Sequence, residues 1–185
     1  MYQTGNIFFE NSSIWETKGS TTLTHYRKKK DQHLKITRIM IKPIHKNIEQ
    51  ILPHRPPMLM IDGYTRIDSD NASSEMHFEP SNYGCENGYV LDSMLIECVA
   101  QTVAAHFGYK SLGKDEGYPE LGMLTSVDTF VFNDMVKDTS KIDIRISKTD
   151  EIGAFKLIYG EISVQGKLVA KGRIKVFNPG EMVNN

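Results

Sequence analysis

Apolar and polar positions along this chain follow two periods, and the change from one to the other predicts its elements. "SKIDIRIS" (140–147) alternates strictly and sets Ile142, Ile144 and Ile146 on one face. "KLVAKGRIKVF" (167–177) sets Lys171, Arg173 and Lys175 on one face and Gly172, Ile174 and Val176 on the other. A period of two is that of a β-strand. "GMLTSVDTFVF" (122–132) and "AFKLIYGEISV" (154–164) complete a run of four strands. Short links such as "DEIG" and "VQGK" favour antiparallel neighbours. Upstream, "MLMIDGYTRID" (58–68) is strand-like, and "ASSEMHFE" (72–79) alternates weakly up to Pro80. "HKNIEQIL" (45–52) predicts a short helical turn stopped by Pro53, and "SNYGCENGYV" (81–90) is turn chemistry.

The other period belongs to "LDSMLIECVAQTVAAHFGY" (91–109). It has no proline and is rich in helix formers. Asp92 or Ser93 can cap it, and Gly108 or Gly113 can end it. It is apolar nearly all round, which predicts a buried helix. One long buried helix and about six antiparallel strands predict an α+β domain whose sheet wraps the helix.

Residues 1–39 show neither period. They carry seven Lys/Arg against three Asp/Glu, which leaves fifteen against twenty for residues 40–185. Such a segment buries too little to offset its ordering entropy. It predicts a disordered basic extension, with a basic arm for a partner as the alternative. Met40 reads as a natural start, and residues 40–185 as a single domain. The net charge of the whole chain, −1, argues against a dedicated nucleic-acid binder. No apolar run approaches the length of a membrane span, and the N-terminus has no signal-type stretch. Cys85 and Cys98 are too few for a disulfide framework and fit reduced thiols in the cytoplasm. No Cys/His cluster has zinc spacing, and no metal or organic cofactor is implied.

Two features point to chemistry. The first is Glu97, in the apolar middle of the helix. Gln101 lies four residues on and shares its face, and Ala104 and Gly108 continue that stripe with small side chains that leave room. An ionised carboxylate is costly there unless paired, and a carboxyl kept neutral is what a general acid needs. A structural glutamate satisfied by backbone donors or an arginine is the alternative. The second is "ILPHRPPMLMIDGY" (51–64), which places His54 and Arg55 at the mouth of an apolar strand. A polar turn explains it as well as an active-site entrance does.

"LPHRPPMLMID" and "LIECVAQ" resemble the two motifs of the bacterial 3-hydroxyacyl-ACP dehydratases of the hot-dog fold. Leu52, Pro53, His54, Arg55, Asp62, Glu97, Ala100 and Gln101 match in order, and the resemblance spans roughly residues 45–178. "PHRPPM" and "KVFNPGE" look most like a divergent branch found in aryl-polyene-type biosynthetic clusters. The resemblance implies a hot-dog fold, a catalytic glutamate at Glu97, and elimination of water from a 3-hydroxyacyl thioester on an acyl carrier protein or coenzyme A. It also implies a dimer, with itself or with a paralogue.

One departure is serious. The family carries its catalytic histidine in a Gly-His-Phe-Pro-Gly loop, fourteen residues before the helix glutamate. Here that position is Tyr83, and the loop has no histidine. The helix-opening glycine is replaced by Asp92. His54 is then the substitute base beside the acid Glu97, with Arg55 and Gln101 as substrate-binding residues. His77 is a second candidate, more readily explained as a strand residue. Three readings compete: a dehydratase with a rearranged site, a hot-dog thioesterase using Glu97 to direct water, and a non-catalytic subunit that pairs with an active paralogue.

Overall fold

The computed structural model describes His45, residues 47–111 and residues 122–178. The expected extension over residues 1–39 and the possible helix end at Gly113 lie outside these. A 3₁₀ turn, Ile48–Gln50, is followed by β1 (Gly63–Arg66), β2 (Asn71–His77), β3 (Cys85–Glu86), β4 (Tyr89–Val90) and α1 (Asp92–Ser111). After these come β5 (Met123–Phe132), β6 (Lys141–Ile152), β7 (Phe155–Val164) and β8 (Lys167–Phe177). Six strands form one sheet in the order β1-β2-β6-β7-β8-β5, with every pairing antiparallel. The α+β expectation of an antiparallel sheet around one long helix holds.

The alternation read from the sequence is the burial pattern of the sheet. Ile142, Ile144 and Ile146 of β6 are buried, as are Ala72, Ser74 and Met76 of β2 and Ile158 and Ile162 of β7. Each buried isoleucine contributes about 2 kcal/mol relative to an exposed one. On the opposite face of β8, Lys171 and Arg173 are exposed. β5 is an edge strand whose Met123, Leu124, Val127 and Val131 remain exposed. The β7–β8 link turns on Gln165 and Gly166, both at positive φ, which two-residue hairpin loops require.

α1 packs tightly on the sheet at Gly160. A Cβ there would lie 2.6 Å from Val99 Cγ1, so only glycine admits the helix. Gly108 does not end the helix and does not leave room. It lies within α1, and a Cβ on it would meet the Ile51 carbonyl oxygen at 2.0 Å. The missing side chain lets the segment after the 3₁₀ turn rest on the helix backbone, which outweighs the roughly 1 kcal/mol that glycine costs a helix.

Two further elements differ from the pattern. The strand expected over 58–68 begins only at Gly63, because the backbone at Met58 and Met60 bonds to a side chain of α1 instead of to a strand. The stretch 81–90, read as turns, holds a small hairpin in which β3 pairs with β4 across Asn87 (φ 53) and Gly88 (φ 84). Gly84, also at positive φ, lies against Met94 at the start of α1 and accepts the Leu91 N–H at 2.9 Å. Leu91 therefore takes the capping position, and Asp92 is the first helical residue, where its charge suits the positive end of the helix dipole.

Candidate active site

The 3₁₀ turn ends at Ile51, and after Pro53 the chain turns over residues 55–58, where the Met58 N–H donates to the Arg55 carbonyl at 2.9 Å, beside the flank of α1. Arg55 fixes this exit. Its guanidinium donates to the carbonyls of Leu52 (2.9 Å), His54 (2.8 Å) and Glu49 (3.3 Å), and Nε lies 3.4 Å from Glu49 Oε2. The last carbonyls of a helical turn lack partners within it, and a guanidinium fork serves several at once. Arg55 is thus committed to the main chain, although it stays half-exposed.

The exit brings His54 to Glu97. Nε2 lies 3.8 Å from Glu97 Oε1, and both side chains are about one-third exposed, at 34% and 27%. That distance is too long for a direct hydrogen bond and close enough for both groups to face the same substrate. His54 Nδ1 is buried and has no hydrogen-bond partner. The ring is therefore held by packing rather than by a second hydrogen bond. The two residues singled out as catalytic, 43 positions apart in sequence, do come together.

Gln101 is buried beneath them, at 1% exposure. Its Oε1 accepts the Met60 N–H at 2.7 Å; its Nε2 donates to the Met58 carbonyl and to Glu97 Oε1, each at 2.7 Å. Both protons of its amide and one lone pair of its oxygen are engaged within the protein. The side chain does for residues 58–60 what a neighbouring strand would otherwise do. Asp62 closes the segment. Its N–H donates to the Glu75 carbonyl at 2.7 Å, and its Oδ2 accepts the His77 N–H at 2.6 Å. His77 is exposed at the end of β2, as a strand residue. With Pro56, Pro57, Leu59 and Asp62 it lines a groove against the 79–83 loop. Tyr83, at the position of the family's loop histidine, is exposed.

Burial pushes the Cys98 thiol far up, and the charges of Glu97 and Asp62 add to this, so it stays a neutral packing group. Among the described residues no group of three His, Cys, Asp or Glu side chains is placed to hold a metal ion. No described helix is long and apolar enough to cross a membrane.

A second polar cluster escaped the sequence reading. Tyr64 OH and His106 Nδ1 lie 2.7 Å apart, and His106 Nε2 is 2.9 Å from the Ser69 carbonyl. A carbonyl can only accept, so Nε2 carries the proton and Tyr64 donates to Nδ1. Burial pushes the His106 pKa down, the Ser69 bond opposes this, and Lys110 and Arg66 push it down further. Nearby, Ser74 Oγ bonds Thr102 Oγ1, and Thr102 donates to the Cys98 carbonyl at 2.7 Å. A histidine inside an apolar helix was the available signal. His106 lies nine residues beyond Glu97, about 14 Å along the axis, so it belongs to the core and not to the same site.

Comparison with known proteins gives the family. A family model described as ApeP-like, ApeP dehydratase, matches residues 46–184. The chain is 29% identical over 136 residues to the 3-hydroxyacyl-[acyl-carrier-protein] dehydratase FabZ of Rhizobium etli, covering 69% of this chain and 83% of that protein. It is 26% identical over 133 residues to FabZ of Bacillus velezensis, covering 69% and 92%. Among solved structures, the dehydratase heterocomplex ApeI:P from Xenorhabdus doucetiae superposes with a TM-score of 0.64 at 20% identity, over 77% of this chain and 96% of the other. A hypothetical thioesterase with coenzyme A from Streptococcus pneumoniae gives 0.51 at 15% identity, over 64% and 85%. At such identities the two structures speak for a shared fold alone.

Proposed function

Because this chain belongs to the ApeP-like dehydratase family, a hot-dog-fold relative of the 3-hydroxyacyl-ACP dehydratases, we propose that Glu97 and His54 together eliminate water from a 3-hydroxyacyl thioester. The observation that carries the assignment of residues is the 3.8 Å between His54 Nε2 and Glu97 Oε1. The C2 proton and the C3 hydroxyl of the substrate sit on adjacent carbons, so a base and an acid must be neighbours. His54 Nε2 takes the proton from C2. Glu97 gives its proton to the hydroxyl, the C3–O bond breaks, the C2–C3 double bond forms, and water leaves. The residues are left as imidazolium and carboxylate, an attractive pair at this distance. Proton return through solvent resets them.

The thioester carbonyl gains charge during C2 deprotonation and needs donors. The Leu91 N–H is engaged by Gly84 and that of Met94 by Leu91. Those of Asp92 and Ser93, at the positive end of α1, are the pair we assign to it. Arg55 and Gln101 then hold the site and do not touch the acyl group. The substrate is carried on an acyl carrier protein, as the names of the curated relatives state for those proteins. We place residues 1–39 outside the catalytic domain and the protein in the cytoplasm, where its free cysteines stay reduced.

Glu97→Gln keeps size and hydrogen bonding and removes the titratable proton. Turnover of a 3-hydroxyacyl-ACP to the 2-enoyl product should fall about 100-fold or more with the fold intact, and His54→Ala should do the same. An unchanged rate in Glu97→Gln would sink the catalytic reading. A second reading has its own support: the superposing ApeI:P structure is a heterocomplex, and the 81–90 loop carries no histidine. In that reading this chain pairs with an active paralogue through the exposed edge of β5. A protein inert alone that raises the paralogue's turnover would establish it.

A further inference from the structure

We propose that the end of the sheet at the β6–β7 hairpin is a contact surface for an anionic lipid bilayer. The strand register sets four apolar residues side by side there. Ile152 pairs with Phe155 across the hairpin, Phe155 with Phe177 of β8, and Phe177 with Met123 of β5. Directly paired residues share a face, so the four make one row across four strands. The row is on the face turned away from the core, because Val176, the next residue back along β8, is the buried one. The Phe155 and Phe177 ring centroids are 5.1 Å apart. Even so, Ile152 is 65% exposed, Met123 50% and Phe155 41%. Gly153 at the tip has positive φ, and a Cβ on it would meet nothing within 4 Å, so the tip faces open space.

Cations stand behind the row on the same face. Stepping back along β8 by twos from Phe177 gives Lys175, Arg173 and Lys171, at intervals of about 7 Å. Their ladder neighbours on β7 and β5 are Leu157 and Ser126, Tyr159 and Thr129, and Glu161 and Val131. Glu161 is thus the one carboxylate paired directly with the stripe, and Arg145 stands on its other side. Asp150 is two strands from Lys175, across Leu157, and Asp128 accepts the Ser126 hydroxyl at 2.7 Å. The stripe stays net positive on a domain that is net negative. An apolar group or a basic patch alone holds a protein to a bilayer weakly, and the two together anchor it. A protein partner fits less well. The apolar area exposed along the row is on the order of 300 Å², whereas a stable protein interface takes about 800 Å² from each side. A bilayer needs no matching relief. The row also lies toward the opposite end of α1 from Glu97. Phe107, about 15 Å further along the axis, lies under Gly122 and Lys156, the chain neighbours of Met123 and Phe155. The proposal does not depend on the reaction at Glu97.

The test is co-sedimentation of the full-length protein with vesicles of phosphatidylcholine alone and of an equimolar mixture with phosphatidylglycerol. The wild type should bind the mixed vesicles about tenfold or more tightly than the neutral ones, and salt should release it. Ile152→Ser combined with Phe155→Ser should weaken binding about tenfold or more. Arg173→Gln and Lys175→Gln should weaken it about fivefold for each charge removed. None of these side chains is buried, so Tm should stay at the wild-type value. Ile152→Trp, in a chain whose one native tryptophan carries Trp15→Phe, reads insertion directly and serves if the serine pair does not fold. Its emission should move to shorter wavelength on the mixed vesicles. The basic residues before Met40 are a rival source of attraction, and the variants separate the two. Binding left intact by the serine pair, or an unmoved emission, would overturn the proposal. So would equal binding to both vesicles, or binding to neither.

Discussion

Gly108→Ala is the substitution whose sign discriminates best. In a helix exposed to water, alanine in place of glycine stabilises by about 1 kcal/mol. Here the added Cβ would stand 2.0 Å from the Ile51 carbonyl oxygen and 3.0 Å from its carbonyl carbon. Ordinary contact begins near 3.5 Å, so the backbone at Ile51 must retreat by roughly 1.5 Å. That backbone is not free to do so. The Ile51 N–H is bonded to the Ile48 carbonyl at 3.0 Å, the Leu52 N–H to the same carbonyl at 2.9 Å, and the Leu52 carbonyl to Arg55. Ile51 and Leu52 are themselves buried. Overpacking of this kind costs about 3 kcal/mol, the upper part of its usual range. The net is a loss of about 2 kcal/mol, or about 5 °C in Tm for a domain of this size. Calorimetry of the purified variant measures it. Because Ile51 lies three residues before His54, turnover should fall with stability. A Tm equal to or above wild type would refute the packing described at Gly108.

Two further outcomes are expected. His106 is buried, and its folded-state pKa lies below the ordinary histidine value. The unfolded chain therefore binds the proton more readily, so the stability this group contributes is present above pH 6.5 and is lost as pH falls from there through the depressed value. Urea unfolding at pH 7.5 and 5.5 should show a loss at the lower pH that His106→Gln reduces, and an equal loss in both proteins would count against it. The exposed Val127 and Val131 on the edge strand β5 fit a partner strand, so the wild type should be dimeric by light scattering and a Val127→Lys, Val131→Lys double variant monomeric. A variant that stays dimeric would move the interface elsewhere.

The regular part of this fold was legible because it rests on burial alone. The isoleucines of β6 and the alternating cations of β8 need only one face of a sheet in water, and period two reports that. The helix was legible for the same reason. What stayed hidden depended on close approach or on a single bond. Gly108 and Gly160 carry no pattern that tells a helix end from a helix contact; the difference lies in Ile51 and Val99, far away in sequence. Gln101 was visible as the polar neighbour of Glu97 but not as the partner of Met58 and Met60. A side chain that replaces a strand leaves the strand's apolar run intact, and β1 therefore looked longer than it is. The meeting of His54 with Glu97 followed from motif order by resemblance, not from any local period. Tyr64 and His106 satisfy each other, so neither disturbed the apolar reading of its segment.

The contact between Gly160 and Val99 bears on how such a scaffold measures its substrate. With the Val99 side chain packed directly on the Gly160 backbone, helix and sheet leave no slot there for a hydrocarbon tail. In the dehydratase reading proposed above, the tail would pass outside, along the row that continues from Glu97 through Ala100 and Ala104, both only partly buried. One wall of that passage belongs to this protomer, and the other has to be supplied by whatever docks against it. Length discrimination is then a property of the pair. It can diverge through changes in the docked surface while the interior of this chain is left as it is.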